Sequence, residues 1–409
     1  MQRGKDTKPH IGIYGRRNNG KSTLINTLAG HEIAIVSEVP GTTTDPVKKS
    51  FEITGFGPVV LIDTAGSDDT GSLGEKRTAK TLQTLKTVDL AILVVTANSY
   101  DEPEKMLVAG FNKLELPFII VHNKSDLEKL SASTREYIEK ATGSVVIEFS
   151  SKTGEYPEEI ISAIRSAIPE SARTSTGLVG DLLSYGDIVL LITPIDVQAP
   201  AGRLILPQVQ AIRDIIDNDC VAVVLKEREV DAFLRKTGIK PSLAITDSQI
   251  FVKADASVPA DVPLTSFSIV LARHKGDFEL YLKGTPRISG LRDGDRLLIL
   301  ESCTHHVSCD DIGRVKIPRW ISNFTGKKLE FDVVGGLAEW PRPVTDYALV
   351  IQCGGCVITR RQLINRIRQA ADAGVPVTNY GMAIAWVQGI YKRAVAPFTS
   401  SEESDDDYL

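Results

Sequence analysis

Residues 15–22 are the part of the sequence that most restricts the possible folds. They read Gly-Arg-Arg-Asn-Asn-Gly-Lys-Ser, follow an apolar run that starts at His10, and lead into a helical pattern. In a GxxxxGKS loop between a strand and a helix, backbone N–H groups face phosphate oxygens, the lysine reaches the β- and γ-phosphates, and the serine hydroxyl binds Mg²⁺. The segment therefore predicts a nucleotide-binding P-loop, with these contacts: Gly15, Asn18, Asn19, Gly20, Lys21, Ser22 and Thr23.

A second motif, Asp63-Thr64-Ala65-Gly66, follows the strand-like run Pro58–Ile62. At this position Asp63 is expected to hold the Mg²⁺ shell, and the N–H of Gly66 is expected to sense the γ-phosphate. The two motifs together predict that the chain binds a nucleoside triphosphate with Mg²⁺.

A third motif, Asn123-Lys124-Ser125-Asp126, follows another apolar run and predicts which base is bound. The Asp126 carboxylate can accept from both N1–H and the exocyclic amine of guanine, and adenine lacks this pair of donors. Ser150-Ser151-Lys152 stands at the end of the next predicted strand, where a loop would close over the base. The three motifs in this order predict a GTPase whose base-side contacts are Asn123, Lys124, Asp126, Ser150, Ser151 and Lys152.

The spacing of apolar runs predicts the fold class and the domains. Short β-branched runs alternate with helical patterns along most of the 409 residues, which is typical of parallel sheets covered by helices. We predict an α/β protein: a P-loop GTPase domain followed by two smaller parallel-sheet α/β domains. The expected divisions are a GTP-binding domain at 1–172, a middle α/β domain at 180–262, a third α/β domain at 263–397 and a disordered acidic tail at 398–409.

Three strand and linker predictions depend on local composition alone. Pro169–Gly180 is rich in Ser, Thr and Gly and is predicted to be a linker; Ile250–Asp255 is predicted to be a strand; and Ala256–Pro263 is predicted to be a proline-containing break that ends the middle domain.

Charge and cysteine content exclude several classes of function. A net charge of −5 argues against a general nucleic-acid binder. No apolar run approaches the roughly 18–20 residues that span a bilayer, and the N-terminus lacks the apolar region of a signal peptide. Five cysteines are too few and too clustered for a disulfide framework in a chain of this length. These features predict a cytoplasmic protein with no membrane partner.

Four of the cysteines fall in the third predicted domain, at positions 303, 309, 353 and 356. Cys353-Gly354-Gly355-Cys356 and Cys303-Thr304-His305 each follow a predicted strand, so in a parallel sheet both turns lie at one edge and three sulfurs can converge. Three interpretations stay open: an iron–sulfur cubane on Cys303, Cys353 and Cys356 with one open iron, a zinc ion completed by His305, His306 or Cys309, and a metal-free CxxC redox pair.

Residues 8–170 resemble the translation-factor-related GTPases of the Era and MnmE type, through the three nucleotide motifs and Gly41-Thr42-Thr43. The resemblance implies that Thr43 is the switch threonine on Mg²⁺, with Thr42 and Thr44 as alternatives. Ser67 stands where Ras-type enzymes carry a catalytic glutamine, and Asn18 stands where a potassium-dependent subgroup has its K⁺ ligand; the other interpretation of Asn18 is a turn-former. We therefore expect slow, K⁺-stimulated hydrolysis with these catalytic residues: Lys21, Thr43, Asp63 and Gly66.

Nearly the whole chain resembles the FeFe-hydrogenase maturation GTPases, the HydF family, because it combines this GTPase type with a small middle α/β domain and a Cys-x-His…Cys-x-x-Cys pattern. The resemblance implies a scaffold with a 4Fe-4S cluster on Cys303, Cys353 and Cys356, which accepts a dinuclear iron precursor from two radical-SAM maturases and delivers it to the apo FeFe-hydrogenase. It also implies that 180–262 is a dimerisation domain, through which a homodimer forms, and that 263–397 is the iron–sulfur cluster-binding domain.

The chain departs from the HydF pattern at one position. The family usually has a histidine directly before the CxxC, and this chain has Gln352. His305 is therefore the candidate fourth ligand of the cluster, with Glu301 and His306 as alternatives.

Two other functions stay open on the sequence alone. The first is an RNA- or ribosome-associated assembly GTPase of the Era and MnmE type, although no basic module with a GXXG loop is evident after residue 180. The second is a GTPase with a zinc-stabilised regulatory domain.

Overall fold

The computed structural model describes residues 8–30, 47–53, 57–64, 81–153, 157–168, 177–194, 204–302 and 311–399. The chain divides into two compact units, Thr7–Ser175 and Thr176–Leu409. None of the helices in the described ranges combines the length and apolar character that crossing a bilayer requires.

The first unit is built on a six-stranded sheet in the order β2-β3-β1-β4-β5-β6, in which β2 alone is antiparallel to its neighbour. Its strands are β1 His10–Tyr14, β2 Val47–Ile53, β3 Gly57–Asp63, β4 Leu90–Val95, β5 Phe118–His122 and β6 Val146–Glu148. Its helices are α1 Lys21–Gly30, α2 Glu102–Lys113, α3 Ala132–Thr142 and α4 Glu158–Ala167, with a 3₁₀ turn at Leu85–Thr87.

Residue type explains where these elements form. The central strands β1 and β4 are buried along their whole length, as expected for a parallel sheet with helices on both faces. Helix α2 starts with a capping box in which Asp101 and Glu104 bond each other's backbone N–H, and Pro103 lies in its first turn. Gly143 in a left-handed conformation ends α3.

The second unit contains two four-stranded parallel sheets, in the orders β10-β9-β7-β8 and β12-β11-β13-β14. The strands of the first sheet are β7 Ile188–Ile192, β8 Val221–Leu225, β9 Leu243–Thr246 and β10 Leu264–Ser266. Those of the second are β11 Arg296–Leu300, β12 Glu330–Val334, β13 Leu349–Gln352 and β14 Val377–Asn379.

Nine helices of the second unit lie within the described ranges. They are α5 Leu206–Asp217, α6 Val230–Thr237, α7 Phe251–Ser257, α8 Phe267–Lys275, α9 Phe278–Gly284, α10 Ile317–Thr325, α11 Arg360–Asp372, α12 Tyr380–Val387 and α13 Tyr391–Val395. A π-helical turn, Ile312–Lys316, precedes α10, and 3₁₀ turns lie at Gly180–Leu182, Ser248–Ile250, Thr285–Gly290, Val344–Asp346 and Ala396–Phe398.

Helix α8 is shared by the cores of these two sheets. Phe267, Val270 and Leu271 pack with the core of the β7 sheet, whereas Ile269 and Ala272 pack with the core of the β11 sheet. A single helix with two apolar faces therefore joins the sheets.

The α/β fold class is confirmed, and three local predictions need correction. Residues 250–255 were predicted to be a strand but lie largely in helix α7, where Phe251 and Ala254 are buried and Val252 is exposed; Val258, at the C-terminal cap, is also buried. Buried positions that are three and four residues apart are typical of a helix, but the β-branched residues of this segment favoured a strand in the sequence analysis.

The break predicted at 256–263 does not end the middle domain, because β10 follows it directly and pairs with β9 in the β7 sheet. Strand β10 has three residues, which are too few to show a pattern in the sequence. Of the predicted linker, residues 169–176 lie outside the described residues, while Leu178 and Val179 are buried in the core of the β7 sheet. Both corrections have the same physical reason, because the contacts that bury these residues come from elements distant in sequence.

Candidate functional site

The predicted P-loop connects β1 to α1, and its backbone requires the residues found there. Gly15 and Gly20 have φ of +140° and +82°, values that side chains rarely adopt. A Cβ on Gly15 would also come within 2.3 Å of the Val94 carbonyl oxygen. Asn18 is exposed and has φ of +61°, so it is the left-handed turn residue of the loop, a conformation that asparagine tolerates well.

Lys21 lies over this loop. Its side chain is buried, and Nζ donates to the carbonyl oxygens of Gly15, at 2.9 Å, and Arg16, at 2.7 Å. The ammonium is thereby held across the mouth of the loop, where a phosphate chain would meet it.

The two described residues predicted to bind Mg²⁺ are in direct contact. The Ser22 hydroxyl at the start of α1 donates to the Asp63 carboxylate at the end of β3. A hydroxyl and a carboxylate that converge at this point suit a hard divalent cation. Thr23 is exposed in the first turn of α1, and the predicted Thr43 and Gly66 lie outside the described residues.

Asn19 and Asn123 connect the P-loop to the base-side loops. Asn19 is buried, donates to the Val94 carbonyl at 2.8 Å and accepts from the Thr96 hydroxyl at 2.9 Å. The side chain of Asn123 donates to the Asn19 carbonyl at 2.9 Å and accepts from both the N–H and the hydroxyl of Ser151, at 3.1 and 3.0 Å. The structure thus brings the first and the last nucleotide motifs into one hydrogen-bond network.

The Asp126 side chain is oriented by Ser150. The Ser150 hydroxyl donates to Asp126 Oδ1 at 2.6 Å and accepts from the Lys152 N–H at 3.3 Å. This contact leaves acceptor capacity on the carboxylate for the paired N–H donors of guanine. Lys124 has φ of +62°, and Lys152 is exposed at the edge of the same loop.

Sequence reasoning missed an ion-pair cluster beside the P-loop. The Arg16 guanidinium donates through Nε and Nη2 to the Glu104 carboxylate, at 2.8 and 2.7 Å, and also to Asp101. These bonds raise the pKa of Arg16 above its usual range. They attach the loop to the start of α2, and no local pattern in the sequence pairs residues 88 positions apart.

His122 is a second feature that the sequence did not identify as unusual. It is completely buried at the end of β5, directly before Asn123, and neither ring nitrogen has a hydrogen-bond partner within the described ranges. Burial lowers its pKa.

In the second unit, the two strands that precede the cysteine motifs in the sequence end at the same edge of a sheet. Strands β11 and β13 are parallel neighbours with Leu300 opposite Gln352. The Cys353 Sγ accepts from the N–H of Ser302 at 3.1 Å and lies 2.9 Å from its hydroxyl. Ser302 directly precedes Cys303 in the sequence, whereas Cys303, His305, His306 and Cys309 themselves lie outside the described residues.

The position where the family has a histidine is completely buried here. Gln352 Nε2 donates to the Cys353 carbonyl at 3.0 Å and to the Ser302 hydroxyl at 3.2 Å, and lies 3.5 Å from the Cys353 sulfur. Its amide therefore supports the cysteine turn. Glu301, an alternative fourth ligand, is also buried, and its carboxylate accepts two bonds from Arg314, at 3.0 and 2.8 Å.

Two of the three predicted cluster ligands, Cys353 and Cys356, lie within the described part of the chain. Neither of these two thiols forms a disulfide with a described cysteine, and both residues are half-buried; cysteine sulfur is a ligand that suits both iron–sulfur clusters and zinc. The described ranges contain no group of three His, Cys, Asp or Glu residues that could hold a metal ion. Cys220, in contrast, is buried near the Ser184 and Asn218 carbonyls.

Three family models match parts of the chain. The model of the hydrogen maturase F tetramerization domain matches residues 278–397, and that of its dimerization domain matches residues 178–276. The chain belongs to the hydrogen maturase F (HydF) family. The model of the 50S ribosome-binding GTPase matches residues 10–124, so this HydF-family chain carries a GTPase domain, which uses GTP and Mg²⁺.

Curated relatives match the GTPase part of this HydF-family chain. The tRNA modification GTPase MnmE of Nitrosomonas eutropha is 37% identical over 170 residues, 41% of this chain and 36% of the relative. That of Legionella pneumophila (strain Paris) is 39% identical over 163 residues, 38% of this chain and 34% of the relative. The chain thus spans about a third of the length of these relatives.

A solved structure, the G domain of the T. maritima FeoB iron transporter, is 25% identical and covers 40% of this chain and 99% of its own, with a TM-score of 0.32. A TM-score this low adds nothing to the comparison with the family models.

Proposed function

We propose that this chain is a GTPase scaffold of FeFe-hydrogenase maturation that binds a 4Fe-4S cluster and delivers a dinuclear iron precursor to the apo-hydrogenase. Membership of the HydF family supports the proposal. The single structural observation that carries it is the position of Cys353, whose sulfur accepts an N–H bond from Ser302, the residue before Cys303.

The cluster ligands we propose are Cys303, Cys353 and Cys356, with His305 as the candidate fourth ligand. When bound, such a cluster would supply one iron whose fourth ligand is exchangeable, and an iron precursor could be held there. In this chain Ser302 and Gln352 orient the first thiol of the CxxC, and the precursor is the cargo that the scaffold receives from the two radical-SAM maturases.

In the nucleotide site, we propose that Lys21 faces the β- and γ-phosphates, Ser22 and Asp63 hold Mg²⁺ with Thr43, and Asp126 selects guanine. The Gly66 N–H senses the γ-phosphate, and K⁺ at Asn18 supplies the positive charge that a P-loop GTPase needs in the transition state. GTP hydrolysis rearranges the switch segments at 31–44 and 64–80 and thereby changes the docking of partners.

The two HydF models describe oligomerisation domains, and the edge strand β8 is the surface that we propose for the homodimer. Val221 and Val224 of this strand are 49% and 40% exposed, and Ile216 at the end of the adjacent helix α5 is 55% exposed. An uncharged, apolar edge strand is a template for pairing with another chain. The edge strand β12 of the other sheet instead carries Glu330 and Asp332, both paired with Arg296.

The test of the cluster uses full-length protein purified without oxygen, with alanine at each of the five cysteines in turn. We expect the variants at 303, 353 and 356 to lose iron and sulfide, because two thiolates hold a cubane poorly. The variants at 220 and 309 should keep both. Cys353→Ser keeps an acceptor for the Ser302 N–H, so iron loss in this variant separates ligand loss from local unfolding.

GTP hydrolysis should survive in all of these variants, because the nucleotide motifs lie before residue 153. A brown wild-type protein that activates apo-hydrogenase once it is loaded with the iron precursor supports the proposal. A colourless protein that contains zinc instead would replace the cluster with a structural zinc site and overturn it.

A further inference from the structure

A buried lysine lies beneath the CxxC turn. Lys275, the last residue of α8, is 6% exposed, and its Nζ donates to the carbonyl oxygens of Ile358, Gly355 and Cys356 at 2.9, 3.0 and 3.4 Å. An ammonium group has three N–H donors and no acceptor. The backbone of the turn therefore supplies as many acceptors as this buried charge has donors.

These bonds restrict the conformation of the turn that carries the two thiols. In a trans peptide the C=O and N–H point to opposite sides, so carbonyls that converge on Lys275 direct the N–H groups of Cys356 and Val357 away from it. Gly355 has φ of +67°, and a Cβ there would lie 2.4 Å from Leu363. The Ile358 N–H closes the turn on the Gly355 carbonyl at 3.3 Å.

Lys275 lies on the same face of α8 as two other residues that make contacts near the cysteine turn. Ser268, Leu271 and Lys275 are spaced by three and four residues, so they lie on the same side of the helix. Leu271 packs against Gly354, where an added Cβ would approach its Cδ1 to 3.2 Å. Ser268 donates to Asn379 at 3.1 Å, at the end of β14. This face supports the cysteine turn from a helix that the HydF dimerization model includes.

We propose that Lys275 is a positioning residue: it holds the Cys353–Cys356 turn in a metal-ready shape before any metal binds. The identity of the metal rests on the proposed function, but the shape of the turn does not. A cation beside a thiolate-ligated cluster also favours the reduced, more negative state and so raises the reduction potential.

The first measurement is amide hydrogen exchange of the full-length protein after removal of metal by a chelator. In Lys275→Met, which has similar length but no donors, the amides of Ile358 and Thr359 should exchange at least about tenfold faster, because charged hydrogen bonds are lost. Lys275→Arg restores charge and donors and should recover part of the protection. Lys253→Met, at an exposed lysine of α7, is the matched control and should change nothing.

The second measurement follows reconstitution with iron and sulfide. Lys275→Met should hold less iron than wild type, and the cluster that remains should have a more negative midpoint potential, with Lys275→Arg in between. If Lys275→Met does not fold, as judged by the fluorescence of Trp320, Trp340 and Trp386, then Lys275→Gln, which keeps a donor without the charge, takes its place in both measurements.

Exchange rates and potentials that are the same in wild type, the neutral variant and the arginine variant would overturn the role of Lys275. Faster exchange in the metal-free Lys275→Met, in a protein whose wild type binds no iron, would confirm the positioning role and refute the cluster instead. The two ideas can therefore fail separately.

Discussion

Replacing Asn123 with alanine should loosen the whole nucleotide site. The side chain is 1% exposed and takes part in three hydrogen bonds, one to the Asn19 carbonyl and two from Ser151. Each bond contributes about 0.5–1.5 kcal/mol, so their loss should destabilise the first unit by about 3 kcal/mol. With a urea m-value of about 2 kcal/mol/M, the unfolding midpoint of this unit should fall by about 1.5 M.

The chain contains an internal control for this measurement. Its three tryptophans, at 320, 340 and 386, all lie in the second unit. Tryptophan fluorescence should therefore show an unchanged transition, while circular dichroism shows an earlier loss of structure in Asn123→Ala. Asn112→Ala, at an exposed position of α2, serves as the matched control variant.

Nucleotide binding should report the same loss in a second way. Asn123 fixes the P-loop relative to the base-side loops without discriminating between phosphates, so the affinities for GTP and GDP should fall by a similar factor. Two results for Asn123→Ala would contradict this reasoning. One is a urea midpoint that equals that of wild type within experimental error, and the other is a loss of affinity for GTP but not for GDP.

Three further outcomes are expected. Asp126→Asn should weaken GTP binding about 100-fold and remove the preference over ATP in a competition assay, because the charged acceptor for two guanine donors is lost; Ser150→Ala should do so more weakly. GTP hydrolysis should be at least about tenfold faster in KCl than in NaCl, and Asn18→Ala should abolish the difference; equal rates in the two salts would leave Asn18 a turn residue. The lowered pKa of His122 means that the unfolded chain binds more protons below about pH 6.5, so the first unit should lose stability on acidification from there down to the folded-state pKa. Thermal melts of His122→Leu should lack that pH dependence.

The parallel strands of the GTPase unit were predictable because each lies in a continuous apolar run, whereas the edge strand β2, Val47–Ile53, carries charged residues and was not predicted. The run at 89–97 contains β4, Leu90–Val95, and the run at 117–123 contains β5, Phe118–His122. Burial on both faces selects the same residue type at every position, so no contact from elsewhere is needed to recognise such a strand.

Helix α7 shows where this reasoning fails. Its residues Phe251 and Val252 favour strands by type, but the Asp247 side chain accepts from the Gln249 N–H and starts a helical turn there. The sheets on either side bury Phe251 and Ala254 and leave Val252 in solvent. Tertiary packing therefore made this segment a helix, although its residue types favour a strand.

The sequence by itself determined the motifs: the order of the P-loop, Asp63, Asn123–Asp126 and the CxxC, and through them the GTPase domain and the family. Such motifs are local because a phosphate loop or a cysteine turn needs its residues at fixed spacing along one segment.

Only the tertiary structure determined what supports them. Arg16 donates to Glu104, 88 positions away, and Lys275 donates to Gly355, 80 positions away. In the sequence a lysine or an arginine is indistinguishable from an ordinary surface residue, and only the fold shows that it is buried. The partners of a buried charge are set by which elements pack together, and the sequence alone does not contain that information in any local pattern.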